Sequence, residues 1–80
     1  MKKKVLITGI TGFVGSHIAD FIIENNFDVE IYGLKRWHLS NLKHIKHIIN
    51  KVNLYDCDIT DPISTRKMLE DINPDKVFHC

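Results

Sequence analysis

Thr8-Gly9-Ile10-Thr11-Gly12-Phe13-Val14-Gly15 is the stretch that decides the fold. It leaves a short apolar run, Val5 to Thr8, rich in β-branched residues. It enters a segment whose apolar positions Val14, Ile18, Phe21 and Ile22 follow an i, i+4, i+7, i+8 spacing. The run predicts a strand buried on both faces. The spacing predicts an amphipathic helix from Val14 to about Asn25, closed by Asn25-Asn26 because Asn tolerates a left-handed cap. Each glycine between them answers a separate need. Gly9 allows a tight turn, Gly12 lets backbone approach a pyrophosphate, and Gly15 lets the helix pack closely on the strand. A helix N-terminus also offers unpaired N–H groups and a partial positive charge to phosphate oxygens. Gly9, Thr11, Gly12, Phe13, Val14 and Gly15 form the candidate phosphate-binding set.

Further along, Val29 to Tyr32 reads as a second strand. Gly33 to His47 is harder to assign: Trp37, Leu39, Leu42 and Ile45, with Ile48 beyond, fit one or two helical turns or an irregular loop. Lys51 to Tyr55 reads as a third strand. Asp61-Pro62 opens a helix, since Asp is a preferred N-cap and Pro at the first helical position loses no hydrogen bond. Ile63, Leu69 and Ile72 are expected on its buried side, and Asn73-Pro74 closes it. Lys76 to Cys80 starts a fourth strand. Strands alternating with helices predict a parallel sheet with right-handed crossovers. The fold class is α/β, the first half of a doubly wound Rossmann domain with helices on the sheet faces. Residues 1–80 are read as the N-terminal part of such a domain, with the substrate domain absent.

Composition narrows the function. Eighty residues make one small domain, and a chain this short buries only ~60% of its unfolded surface. A net charge of +1 argues against a nucleic-acid or anionic-membrane binder. The charged start Lys2-Lys3-Lys4 followed by an apolar run mimics a signal peptide, but the glycines break the run and no cleavage site follows. No stretch approaches a membrane span. Cys57 and Cys80 lack zinc-type spacing and read as reduced thiols of a cytoplasmic protein.

The Gly-x-x-Gly-x-x-Gly spacing with Phe13 inside it resembles the extended short-chain dehydrogenase/reductases, the nucleotide-sugar epimerases and dehydratases. An acid about 20 residues past the glycines usually bonds the ribose 2′-hydroxyl and selects NAD. That place falls at Gly33, with Lys35 and Arg36 just beyond it. A missing acid removes repulsion toward a 2′-phosphate, which a guanidinium binds bidentately. NADP is therefore expected over NAD. Gly33-Leu34-Lys35-Arg36-Trp37, with Ser40 nearby, also resembles the GDP-mannose 4,6-dehydratases, in which Arg36 takes the matching NADP-binding position. Trp37 departs from that pattern, where a second Arg is common. The resemblance implies that Asp58 accepts from the adenine amino group and that Ile59 packs on the ring. It implies a cofactor that oxidises the sugar at C4, elimination of water across C5–C6, and hydride return at C6. It places the catalytic Ser/Thr, Tyr-x-x-x-Lys and Glu beyond position 80, so no catalytic residue is assigned and the chain alone is expected to be inactive. A nucleotide-sugar substrate and homo-oligomeric assembly are expected of the whole enzyme.

Other readings stay open. The same residues suit an epimerase or reductase of that family, or a nucleotide-binding fragment with no catalytic role. His38, His44 and His47 lack the acid or cysteine a metal site needs and read as a polar face. Asp56, Asp58 and Asp61 lack the glycine and distal Glu of a calcium loop. His79 reads as a core or strand-end histidine, and Lys43, Lys46 and Lys51 as a solvated face.

Overall fold

The computed structural model describes residues 2–25, 27–35 and 42–80. The order is β1 (Lys3–Ile7), α1 (Phe13–Glu24), β2 (Val29–Lys35), a 3₁₀ helix (Leu42–Lys51), β3 (Asn53–Asp56), α2 (Pro62–Ile72) and β4 (Lys76–Phe78). The four strands form one parallel sheet in the order β3-β2-β1-β4. This is the expected α/β, Rossmann-like partial domain.

Strand order assigns the helices to faces. The chain steps outward from β1 to β2 to β3, then returns across both to reach β4. Right-handed crossovers put the connections of these opposite steps on opposite faces. Side chains alternate along β1 accordingly. Val5 and Ile7 join Ala19 and Ile22 of α1 and Ile45 and Ile48 of the 3₁₀ helix in one core. Leu6 joins Leu34, Cys57, and Met68 and Ile72 of α2 in the other.

Three local expectations are corrected. The face α1 turns to the sheet consists of Gly15, Ser16, Ala19 and Ile22. Val14 and Phe21 are exposed, at 60% and 59%. Small residues permit the close helix–sheet approach, so the bulky stripe is left on the flank. On α2, Ile63 is 81% exposed and Leu69 is also exposed, while Met68 and Ile72 are buried. The i, i+4 pair over Leu6 and Leu34 is the face the crossover presents to the sheet. Finally, Asn25 caps α1 without a left-handed backbone, at φ −93° and ψ 6°. Its N–H and its Nδ2 both donate to the Phe21 carbonyl, at 3.1 and 2.8 Å. Asn26 lies outside the described residues.

The left-handed cap occurs instead at Asn73, with φ 51° and ψ 60°, whose N–H donates to the Leu69 carbonyl. Pro74 follows and cannot continue the helix. Asp75 then locks the return to the sheet. Its N–H donates to the Lys4 carbonyl at 2.8 Å, and its Oδ2 accepts from the Lys4 N–H at 2.7 Å. From Leu42 on, the ambiguous middle segment is a 3₁₀ helix, in which Leu42, Ile45 and Ile48 repeat every three residues, the period of that helix.

Candidate nucleotide-binding site

In a parallel sheet all strands end on the same edge, so the segments following β1, β2, β3 and β4 share it. Register aligns them: Ile7 of β1 pairs with Gly33 and with Phe78, and Lys35 pairs with Asp56. Strand order reverses between β1 and β4, and ligands of open α/β sheets bind outside the strand ends at such a reversal. The glycine turn stands there.

The turn closes with the Gly12 N–H donating to the Gly9 carbonyl at 3.0 Å, and α1 begins with Ser16 N–H to the Gly12 carbonyl. Gly12 is the N-cap, so no side chain caps the helix, and no acidic residue stands in its first turn. The first N–H groups of a helix have no intrahelical partner. Those of Phe13, Val14 and Gly15 therefore present an uncompensated positive end to the sheet edge.

The glycines divide by what surrounds them. A Cβ on Gly15 would strike the backbone of Gly9 and Ile10, and one on Gly9 would lie 3.0 Å from the Cys80 carbonyl oxygen. Both are packing requirements. Among the described residues a Cβ on Gly12 meets only the Gly9 carbonyl oxygen, at 3.4 Å, an ordinary contact. Nothing among the described residues demands glycine at position 12, the N-cap of α1. A pyrophosphate fits that arrangement. The Phe13 ring itself turns along the helix, edge-on to His17 at 4.4 Å between centroids and to His44 at 6.3 Å. Any part Phe13 takes in phosphate binding thus falls to its backbone N–H.

Gly33, the place at which the sequence lacks the NAD-selecting acid, lies within β2. β2 runs two residues further, to Lys35, and Gly33 is buried with Ile10 packed over it. A Cβ there would lie 2.5 Å from Ile10 Cγ2, so Gly33 is glycine for packing. The strand end is Lys35, whose Nζ lies 2.6 Å from Asp56 Oδ1. Arg36, Trp37, His38, Leu39 and Ser40 lie outside the described residues.

Asp58 and Ile59 follow β3 on the same edge, and both are exposed. Asp58 Oδ1 accepts from the Thr60 N–H at 3.0 Å and from its hydroxyl at 2.6 Å, which fixes the turn. Asp61 then caps α2, accepting from the Ile63 N–H at 3.1 Å and the Ser64 hydroxyl at 2.9 Å.

Sequence reasoning missed the tie at the reversal itself. The Thr8 Oγ1 lies 3.0 Å from His79 Nδ1 and accepts from the Cys80 N–H at 3.2 Å. No local signal marks that contact, since it joins residues 71 apart in the chain. Of the histidines, His47 Nε2 meets Asp20 Oδ1 at 2.7 Å and clasps the 3₁₀ helix to α1. Among the described residues no group of three metal-ligating side chains gathers, and no helix is long and apolar enough to cross a membrane. Cys57 and Cys80 are both free.

Known proteins match this arrangement. The chain is 34% identical over 87 aligned positions to a GDP-mannose 4,6-dehydratase of Vibrio cholerae, covering 99% of this chain and 23% of that protein. It is 36% identical to GDP-mannose 4,6 dehydratase 1 of Arabidopsis thaliana, covering 98% and 24%. The Bordetella bronchiseptica enzyme WbmH, solved in complex with NAD+, superposes with a TM-score of 0.78 at 30% identity, over 100% of this chain and 26% of that one. The chain thus spans about a quarter of the length of these relatives. A family model described as GDP-mannose 4,6 dehydratase matches residues 6–80, and the chain belongs to that family.

Proposed function

We propose that this chain is the cofactor-binding part of an NADP-dependent nucleotide-sugar 4,6-dehydratase. The observation that carries the reading is the uncapped N-terminus of α1 at the strand-order reversal, where no packing among the described residues requires Gly12 to be glycine. Family membership supports a nucleotide sugar as the substrate class. A nicotinamide dinucleotide, when bound, supplies reversible hydride acceptance. Gly9, Thr11 and Gly12 and the N–H groups of Phe13, Val14 and Gly15 hold its pyrophosphate, Asp58 and Ile59 its adenine, and Arg36 its 2′-phosphate. Preference for NADP rests on the absence of an acid near the end of β2 and on Arg36 beyond it. The groups that act on the sugar lie outside residues 1–80.

The test is calorimetric titration of NADP and NAD into the longest natural polypeptide carrying these residues, followed by assay with GDP-mannose. Tighter binding of NADP and formation of a 4-keto sugar are expected. A preference for NAD overturns the cofactor assignment, and absence of any dinucleotide binding overturns the whole reading.

A further inference from the structure

The residue entering the glycine turn is fastened to the end of β4 by three hydrogen bonds. The Thr8 N–H donates to the Phe78 carbonyl at 3.0 Å. The Cys80 N–H donates to Thr8 Oγ1 at 3.2 Å, and His79 Nδ1 lies 3.0 Å from the same oxygen. Two of the three thus end on one hydroxyl. A threonine hydroxyl has one proton and two lone pairs. With a lone pair taken by Cys80, the proton is available to a neutral His79 through Nδ1. Of the three groups at and just past the end of β4, only His79 contributes a side chain. Directly beyond Thr8, Gly9 abuts Cys80 so closely that a Cβ would lie 3.2 Å from the Cys80 Cβ, and the Gly9 carbonyl receives the Gly12 N–H that closes the turn.

From this geometry we infer that His79 is a positioning residue for the dinucleotide cradle. Its imidazole fixes the Thr8 hydroxyl, Thr8 fixes the Gly9 carbonyl, and that carbonyl sets Gly12 and the open end of α1. The inference rests on the dinucleotide-binding reading and adds to it a residue just past the fourth strand.

The experiment measures dinucleotide affinity and thermal melting for the unmodified polypeptide, His79→Leu, His79→Asn, Thr8→Val and the Thr8→Val/His79→Leu double variant. His79→Leu is expected to bind about two- to tenfold more weakly, the range of one net hydrogen bond. His79→Asn, whose amide reaches the same hydroxyl, is expected to restore affinity to within about twofold. The double variant is expected to bind no more weakly than Thr8→Val alone, because the two residues act through one contact. If His79→Leu fails to fold, His79→Phe, with a ring but no ring nitrogen, takes its place. Unchanged affinity in the leucine or phenylalanine variant, or losses that multiply in the double variant, overturns the inference and leaves the binding reading intact. Absence of dinucleotide binding by the unmodified polypeptide overturns both.

Discussion

Gly15 of α1 and Gly9 in the turn after β1 pack backbone against backbone: a Cβ on Gly15 would lie 2.5 Å from the Gly9 carbonyl carbon and 3.0 Å from the Ile10 Cα. No flexible side chain is available to yield there. Gly15→Ala is expected to destabilise the fold by about 2–4 kcal/mol. Gly12→Val differs, because Gly12 has φ −83° and ψ 175°, backbone that any residue adopts. Its stability cost is expected near 1 kcal/mol, from the poorer N-cap, while dinucleotide affinity falls at least about tenfold as the side chain fills the phosphate position. Thermal melts and cofactor titrations of the two variants check this. Unchanged affinity in a folded Gly12→Val protein would sink the phosphate assignment.

Arg36 rather than Lys35 is expected to recognise the 2′-phosphate, because the Lys35 ammonium is already held by Asp56. A charge-assisted contact contributes about 1.5–3 kcal/mol, roughly ten- to a hundredfold. Arg36→Ala should lose that much NADP affinity and leave NAD affinity unchanged. Equal weakening of both cofactors would make Arg36 structural.

The two tyrosines report alkaline pH. Tyr55 donates to Asp71 Oδ2 at 2.8 Å, and that bond, with partial burial and the nearby carboxylate charge, raises its phenol above the ordinary value. Tyr32 is raised in the same way by Glu30, whose Oε2 it meets at 3.0 Å. A raised folded-state pKa favours the neutral phenol, so the stabilisation is full below about pH 10, the unfolded value, and is lost as pH rises through the folded values. Phenolate absorbance should titrate above about pH 10 in the native chain and return to it in denaturant. Tyr55→Phe should leave one transition, that of Tyr32. Native titration at or below the ordinary value contradicts both hydrogen bonds.

Asp61 caps α2 through two contacts at its first turn. Asp61→Ala is expected to cost about 1 kcal/mol, and Asp61→Asn or Asp61→Ser to retain most of that. Urea denaturation measures the difference. A neutral Asp61→Ala variant would show that Pro62 alone sets the helix start.

The 80-residue chain by itself is expected to be marginally folded. Between α1 and the β4 side of the sheet runs an apolar groove of about 640 Å³, lined by Val14, Ile18, Phe21, Phe27, Val29 and Phe78 among others. Open apolar surface of this kind lowers stability and promotes association. Broad thermal melting by circular dichroism and binding of a hydrophobic dye are the expected results. A sharp cooperative melt of a monomer that excludes the dye would show that the groove costs the fold little.

The amino-acid sequence by itself determined the element order, the parallel sheet, the glycine turn between β1 and α1, and the Asp61-Pro62 and Asn73-Pro74 boundaries of α2. These depend on local chemistry: backbone freedom at glycine, the fixed proline ring, a side-chain oxygen at a helix start. Tertiary structure decided which apolar residues are inside. Val14, Phe21, Ile63 and Leu69 fit a helical period as well as Ala19, Met68 and Ile72 do, and only the approach of each helix to the sheet separates them. It also carried β2 past Gly33 to Lys35, because Gly33, Leu34 and Lys35 pair with Leu54, Tyr55 and Asp56 of β3, from another part of the chain. Thr8 and His79 meet for the same reason: β1 and β4 are neighbours only after the chain has crossed the sheet, and no spacing along the sequence encodes a contact made by that return.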